Sequence, residues 1–476
     1  MAKESKEGIT VKKNENLSEW YNQVVQKAEL ADYSAVKGCM VIRPHGYAIW
    51  EKIQEYFNQV LKINNVKNAY FPLFIPESFF KKEAEHAEGF SPEVAWIENK
   101  DKDTKERLAV RPTSETVMYD SYSRWIRSWR DLPFKINQWA NVVRWETKAT
   151  KLFLRTREFL WQEGHCVYAT EEECDKETQL WIEEYRKLSE DLLATPVLVG
   201  KKTDTEKFSG ADYTLTIESI MPDGKALQAG TSHNLGQSFA KSFGISFLDE
   251  NSKKQTPWQN SWGVSTRLIG GLVMLHGDDK GLVLPPRIAP IQGAIVPIFF
   301  EKTKKETLNE AKKIYNTLIK NFDIELDDRE YQSAGWRFSD WELKGVPIRI
   351  ELGPKDIEKQ QAVLVRRDTG KKEFVKLKDV PKRFEELLEE IQDNLLNNAK
   401  EQMKSQITDV NNQKELAKAI KENKVVRMNF CGTRECEEKI KEDTSATSRC
   451  IIKKSKGNCA NCSGEAKEQI YFSKSY

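Results

Sequence analysis

Residues 137–168 read Asn137-Gln138-Trp139-Ala140-Asn141-Val142-Val143-Arg144-Trp145-Glu146 and, after a basic polar connection, Arg155-Thr156-Arg157-Glu158-Phe159-Leu160-Trp161-Gln162-Glu163-Gly164-His165-Cys166-Val167-Tyr168. β-Branched and aromatic residues on both sides of the connection predict a β-hairpin. Strand period puts Arg144 and Glu146 on one face, and Phe159, Trp161, Glu163 and His165 on one face of the returning strand. A face that mixes rings with charges makes a poor apolar core, because a desolvated, unpaired charge costs several kcal/mol. Two readings stay open: a solvated amphipathic face, which is common, or a site for a flat, anionic ligand.

Working outward, 476 residues suffice for two to four domains. The balance of 75 basic and 73 acidic residues leaves a formal charge of +2, so a nucleic-acid partner would need a local basic patch. No run of eighteen apolar residues occurs and the N-terminus is charged, so the expectation is a soluble, cytoplasmic protein with no membrane partner. Of eight cysteines, Cys431, Cys436, Cys450, Cys459 and Cys462 crowd the last fifty residues, which argues for metal ligation over a disulfide framework. Gaps of four and two residues around a long excursion let Cys431, Cys436, Cys459 and Cys462 converge on a structural Zn²⁺. Unrelated reduced thiols are the alternative, and Cys450 is left over as a core thiol.

Arg144-Trp145-Glu146, then Arg155, Phe159 and Glu163 at four-residue steps, resembles motif 2 of the class II aminoacyl-tRNA synthetases. The longer string from Arg155 to His165 is similar to prolyl-tRNA synthetases of the archaeal and eukaryotic type. The helix and proline-ended strand at about 46–76 resemble motif 1, which implies a homodimer. Residues 261–287, where Ser261-Trp262-Gly263-Val264-Ser265-Thr266-Arg267 runs into an apolar helix capped by Ser265 and stopped by Gly277, resemble motif 3. Arg267 in the first turn of that helix lies beside unpaired backbone N–H groups, a natural anion site. Gly263 suits a position where a side chain would collide with a ligand.

Thr113 or Ser114 is expected to cap a helix running through Met118, Tyr122, Trp125 and Trp129, with Glu115 as an ordinary first-turn acid. The resemblance implies more: Thr113 and Glu115 lie in the amino-acid pocket, with Glu115 on the secondary ammonium of proline. It likewise puts Trp161, Glu163, Phe208, His233, Ser261 and Gly263 around proline, with Arg144 on its carboxylate. It puts Arg144, Glu146, Arg155, Phe159, Gln228, Thr231 and Arg267 around ATP and its Mg²⁺. The resemblance makes Arg144 and Arg267 the two expected catalytic groups.

Prolines at 285, 286 and 290 end the first domain near residue 290. Strands alternating with helices over 291–395 predict a small α/β domain with a mostly parallel sheet. Its Gly353-Pro354-Lys355-Asp356-Ile357-Glu358 resembles the anticodon-binding domain of class IIa synthetases, with Arg349, Glu351, Lys355 and Arg366 as candidate anticodon contacts or simply a solvated surface. Residues 382–422 read as one or two connecting helices, and 396–476 as a small zinc-binding α+β domain. The fold expected is therefore mixed α/β, an antiparallel class II sheet flanked by helices with two smaller domains behind it. The function implied is ATP-dependent attachment of L-proline to tRNA(Pro) through prolyl-adenylate. Fewer than a hundred residues separate Glu163 from Ser261, too few for a large hydrolytic insertion.

Overall fold

A computed structural model describes residues 8–84, 93–98, 106–145 and 150–476. Glu146, one of the expected nucleotide contacts, lies outside them. The architecture is organised on a long sheet whose first seven strands are β1 (Lys67–Asn68), β2 (Phe134–Val143), β3 (Glu158–Tyr168), β4 (Leu198–Lys201), β5 (Tyr213–Ile220), β6 (Ala226–Gly236) and β7 (Trp258–Ser265). The hairpin expected from residues 137–168 is β2–β3, in antiparallel register from Phe134↔Val167 to Val143↔Glu158.

Helices α1 (Leu17–Lys27), α2 (Pro44–Ile63), α3 (Glu115–Trp125), α4 (Glu171–Lys187) and α5 (Arg267–His276) flank this sheet. Local chemistry sets their ends. The Asn16 side chain accepts from the Glu19 N–H at 3.1 Å to start α1, and α4 opens on a reciprocal capping box between Thr170 and Glu173. The buried stripe of α4 carries Trp181, which stacks on Trp262 of β7 with ring centroids 3.8 Å apart and planes at 15°. Gly164 pairs with Trp262 across β3–β7, and a Cβ there would come within 2.1 Å of the indole ring. Glycine at 164 is thus a packing requirement.

Two capping expectations are corrected. Ser114 precedes α3 but its side chain makes no cap; its hydroxyl donates to Glu163 instead, which binds this helix start to the hairpin. The helix stops at Trp125, and Trp129 begins a separate 3₁₀ turn. At α5 the residue in the cap position is Thr266, although the Ser265 hydroxyl does accept from the Arg267 N–H at 3.3 Å.

The next unit holds β8 (Gly293–Pro297), β9 (Ile324–Leu326), β10 (Ile348–Leu352), β11 (Gln361–Arg366) and β12 (Lys372–Lys376), in the order β9-β8-β10-β11-β12. Only its β8–β9 and β8–β10 pairings are parallel, while β10–β11 and β11–β12 are antiparallel. The mostly parallel sheet expected is therefore a mixed one, because the connections between its last three strands, residues 353–360 with the short helix Pro354–Glu358 and residues 367–371, are too short for the crossover that parallel pairing needs. One long helix, Val380–Gln406, leads out of this unit.

The last strands, β13 (Ile407–Asp409), β14 (Val425–Phe430), β15 (Thr447–Lys454) and β16 (Glu468–Ser473), do not form a separate sheet. Through Ile451↔Lys201, β15 joins β4, and the whole sheet runs β13-β14-β16-β15-β4-β5-β6-β7-β3-β2-β1. Every pairing is antiparallel except the two at the outer ends. The sequence gives no sign of this junction, which rests on a single bridge between short strands.

Candidate active site

Arg144 and the face of β3 that strand period sorts, Phe159, Trp161, Glu163 and His165, meet in one cleft of about 540 Å³. Thr113, Glu115, Arg144, Phe159, Trp161, Glu163, Phe208, Gln228, Thr231, His233, Ser261, Gly263 and Arg267 all line it. Arg155 lines an adjoining hollow of about 150 Å³ together with Arg144, Phe159, Arg267 and Tyr476. A Cβ at Gly263 would meet, among the described residues, only the Gln162 carbonyl at 3.0 Å. Its other side is open cleft, the space expected there for a ligand.

Buried Arg111 anchors the start of α3 by donating to the Asn141 carbonyl at 2.8 Å and to the Phe71 carbonyl at 2.7 Å. That fixes Thr113 and Glu115 over the hairpin, where the Thr113 hydroxyl donates to the Glu115 carboxylate. Arg144, just past β2, has its guanidinium 5.6 Å from the Phe159 ring and 5.5 Å from Trp161, while its Nε donates to the Pro112 carbonyl at 3.2 Å. Arg267 follows β7, on the other side of β3 from β2, with its Nη1 donating to the Gln228 carbonyl at 3.3 Å. Two guanidinium groups from separate strand ends thus face the same space, an arrangement that suits a polyanion.

At the floor, Glu163 accepts from Ser114, from Gln138 Nε2 at 3.0 Å and from His165 Nε2 at 3.0 Å. His165 Nδ1 lies 3.1 Å from the Tyr119 hydroxyl. Burial works against both charges, but the mutual hydrogen bond and the nearby Glu115 charge hold His165 above its ordinary value. For Glu163, burial is outweighed by His165, Ser114 and Gln138, which bring it below the ordinary carboxylate value. Both shifts run in the direction that favours an imidazolium–carboxylate pair. His233 is the opposite case: burial, then the charge of His165, push it down to about 3. Its nitrogens meet the Thr214 hydroxyl at 2.9 Å and the Thr231 hydroxyl at 3.0 Å, and its ring leans on Phe208 at 4.7 Å. A neutral ring held this way is an apolar wall with fixed edges.

These directions predict a pH dependence. A histidine raised on folding adds stability that is complete below its ordinary 6.5 and fades as pH rises through the raised value, while lowered Glu163 adds stability above its ordinary 4.5. Between 4.5 and 6.5 both are present, although depressed His233 subtracts stability as pH falls below 6.5. The comparison must then be between variants. His165→Gln should lose more stability near roughly pH 6 than near roughly pH 9, measured by denaturant unfolding of both proteins. Equal losses at the two pH values would show that His165 is not held as an imidazolium.

Sequence reasoning left several lining residues out. His165 was placed on the right face but given no role, and Thr214 belongs to the alternation of β5 that brings it under His233. Lys202 carried no local signal; its N–H donates to the Thr214 carbonyl at 2.8 Å, beside β5. Tyr476 ends an aromatic tail that in the resembling family folds back on the catalytic domain, and here it reaches the adjoining hollow. The Tyr476 hydroxyl donates to Asp223 at 2.8 Å and its N–H to the Ala226 carbonyl at 3.1 Å.

Elsewhere, Cys431, Cys436, Cys459 and Cys462 present sulfurs all within 4.8 Å of one another, with Cys436–Cys459 at 3.8 Å and Cys431–Cys462 at 3.7 Å. Thiolates about 2.3 Å from a tetrahedral zinc stand about 3.8 Å apart, so the donor set fits that ion. Asn461 Nδ2 also donates to Cys436 Sγ at 3.3 Å. Cys450 is buried away from the four, as expected. No helix among the described residues is long and apolar enough to cross a membrane.

Residues 96–275 match the tRNA synthetase class II core domain family (G, H, P, S and T), 292–387 the anticodon binding domain family, and 413–476 the prolyl-tRNA synthetase C-terminal family. The chain is 51% identical to a proline–tRNA ligase of Natranaerobius thermophilus, the match covering 97% of each chain. It is 51% identical to one of Alkaliphilus oremlandii, over 97% of this chain and 96% of that one. It is 47% identical to proline–tRNA ligase 2 of Clostridioides difficile, over the full length of both. With the class II core carrying this cleft and an anticodon-binding domain behind it, the chain belongs to the prolyl-tRNA synthetases, the proline–tRNA ligases.

Proposed function

We propose that the cleft activates L-proline with ATP and passes it to tRNA(Pro) in two steps, using the residues named from the sequence. The convergence of Arg144 and Arg267 on one cleft carries this reading. No side-chain nucleophile is needed: the proline carboxylate attacks the α-phosphorus, and the protein must align two anions and stabilise charge growing on phosphoryl oxygen. Arg144 bridges the proline carboxylate and the α-phosphate, while Arg155 and Arg267 hold the outer phosphates. Phe159 stacks on adenine, Thr231 borders the nucleotide, and Glu146 accepts from its exocyclic amine. Gln228 is the side chain to help hold Mg²⁺, which would neutralise charge between phosphate oxygens.

Thr113, Glu115, Trp161, Glu163, Phe208, His233, Ser261 and Gly263 surround proline, with Glu115 on its secondary ammonium. With Glu163 engaged by His165, Ser114 and Gln138, Glu115 is the carboxylate we assign to the substrate ammonium. Proline-dependent exchange of pyrophosphate into ATP by the purified chain tests the reading. Exchange that required another amino acid, or none above background, would sink it.

A division into a catalytic domain over 1–290, an anticodon-binding domain over 291–395 and a zinc-binding domain over 396–476 is supported by the spacing of the three family matches. Among the anticodon candidates, Lys355 is exposed, whereas Arg349 pairs with Glu351 at 2.8 Å and Arg366 with Asp368 at 2.7 Å. Lys355 is therefore the readiest of them to touch RNA, and the paired arginines would present their planes for stacking. A homodimer through the motif 1 region and a cytoplasmic location complete the reading.

The archaeal and eukaryotic type of architecture is supported by the interval after the hairpin, where α4, β4, β5, β6 and β7 are parts of the core sheet and its cover. No separate editing domain is proposed. A pocket separates substrates by only about 1 to 3 kcal/mol per methylene, so alanine should be misactivated. The purified chain should then leave alanyl-tRNA(Pro) intact, and its hydrolysis above the spontaneous rate would refute this. For the cysteine cluster, we expect about one zinc per chain by elemental analysis. Removing it, or making Cys459→Ser, should lower Tm by more than about 5 °C, because metal binding is coupled to folding. An unchanged Tm after verified metal removal would contradict the structural role.

A further inference from the structure

Arg449, from the C-terminal module, reaches the catalytic sheet at the β15–β4 junction. The approach there is close: a Cβ at Gly200 of β4 would lie 2.3 Å from the Ile451 carbonyl of β15. Beside the junction three charged side chains are buried together. Lys202 Nζ donates to Glu218 Oε1 at 2.7 Å, and the side chains are 2% and 0% exposed. Arg449 Nη1 lies 3.6 Å from Glu218 Oε2, with its side chain 6% exposed. Thr216 adds a hydroxyl donor to Glu218 Oε1 at 3.1 Å, and Arg449 Nε is oriented by the Ser448 carbonyl at 2.9 Å. Lys202 also lines the active-site cleft, and Glu218 sits opposite Gln228 across β5–β6.

Burying three charges is costly, and an apolar contact would join the two modules at a smaller desolvation cost. What the guanidinium adds is charge and direction. Within this triad one carboxylate is shared by two cations, so Arg449 adds one positive charge beside the wall where Lys202 meets the cleft; buried Glu437 of the same junction, which accepts from the Thr203 hydroxyl at 2.9 Å, is present with or without it. Without Arg449, the Lys202–Glu218 pair would be neutral.

We propose that Arg449 is a positioning residue for the nucleotide: by sharing Glu218, it keeps the Lys202 ammonium from being fully neutralised and so adds positive potential to the cleft. The proposal rests on the reading of the cleft as an ATP and proline site. The effect belongs to ATP, a polyanion, and not to proline, a zwitterion without net charge. Through this route a residue outside the matched catalytic region, 96–275, sets the strength of nucleotide binding.

The test uses the full chain in pyrophosphate exchange. Arg449→Met keeps the length of the side chain and leaves Glu218 paired with Lys202, so no unpaired charge is buried. The KM for ATP should rise by roughly threefold to tenfold, the effect of one unit charge near an anion in a partly wet cleft, with the KM for proline and Tm unchanged. Arg449→Lys should restore most of the loss. In a Lys202→Met background, Arg449→Met should have no further effect on the KM for ATP. A wild-type KM for ATP in Arg449→Met overturns the proposal. So does additivity with Lys202→Met, and so does a parallel change of both KM values and Tm that Arg449→Lys does not rescue. Absence of proline-dependent exchange in the wild-type chain would instead remove the reading of the cleft itself.

Discussion

Replacing Arg144 by lysine should lower the rate of proline-dependent adenylation by roughly 10²- to 10³-fold, the loss seen when one preorganised donor to a developing oxyanion is removed. The loss should appear in kcat, with Tm close to wild type. The site explains why lysine is not enough. Arg144 is cradled by the Phe159 and Trp161 rings, and its Nε is committed to the Pro112 carbonyl, so the plane of the fork is set before any ligand arrives. Lysine would keep the charge and the contact with the rings. It would lose the planar, two-pronged geometry that bridges a carboxylate and a phosphate at once. Single-turnover adenylation, which separates chemistry from product release, is the appropriate assay. A decrease of less than tenfold would mean that Arg144 contributes charge alone.

Glu115→Gln should raise the KM for proline by about a hundredfold while changing the KM for ATP by less than about threefold. Glu115 is buried, and its neighbour Glu163 is already answered by His165, Ser114 and Gln138. The substituted amide would leave the proline ammonium desolvated with no anion of its own, and losing one member of a buried charge pair costs about 2 to 5 kcal/mol. Glu163→Gln makes the contrasting control. It should unbalance His165 and lower stability before it changes ammonium binding. Steady-state constants for both substrates, read beside Tm, separate the two carboxylates. If Glu115→Gln weakened ATP and proline equally, its role would be structural.

Much of the cleft was legible because strand period is a strict rule. Once residues 137–168 are a hairpin, Phe159, Trp161, Glu163 and His165 must share a face, and all four line the cleft. The cysteine quartet was legible for a similar reason, since its spacing is close to a geometric statement. What the sequence hid depends on partners far along the chain. Ser114 looked like a cap because capping is the commonest fate of such a residue, but Glu163, 49 positions away, offered its hydroxyl a better acceptor. Helix α3 ends early where the backbone of Ile126 turns extended, a break with no proline or glycine to announce it. The mixed sheet over 293–376 follows from connections too short for a crossover. The junction of β15 with β4 had no signature at all. It brings Arg449 to Glu218 and lets the C-terminal residues pair with Ala226, so the C-terminal module becomes an extension of the catalytic sheet.

The central claim is that two guanidinium groups, following β2 and β7, grip one activated substrate. A crystal structure of the chain with a non-hydrolysable prolyl-adenylate mimic measures this directly. The account predicts Arg144 Nη atoms within hydrogen-bonding distance, about 3 Å, of both the acyl oxygen and the phosphate-mimicking group. It also predicts Arg267 against the nucleotide in a second structure with ATP. Either arginine more than about 6 Å from its ligand, in a complex with clear density for it, would contradict the account.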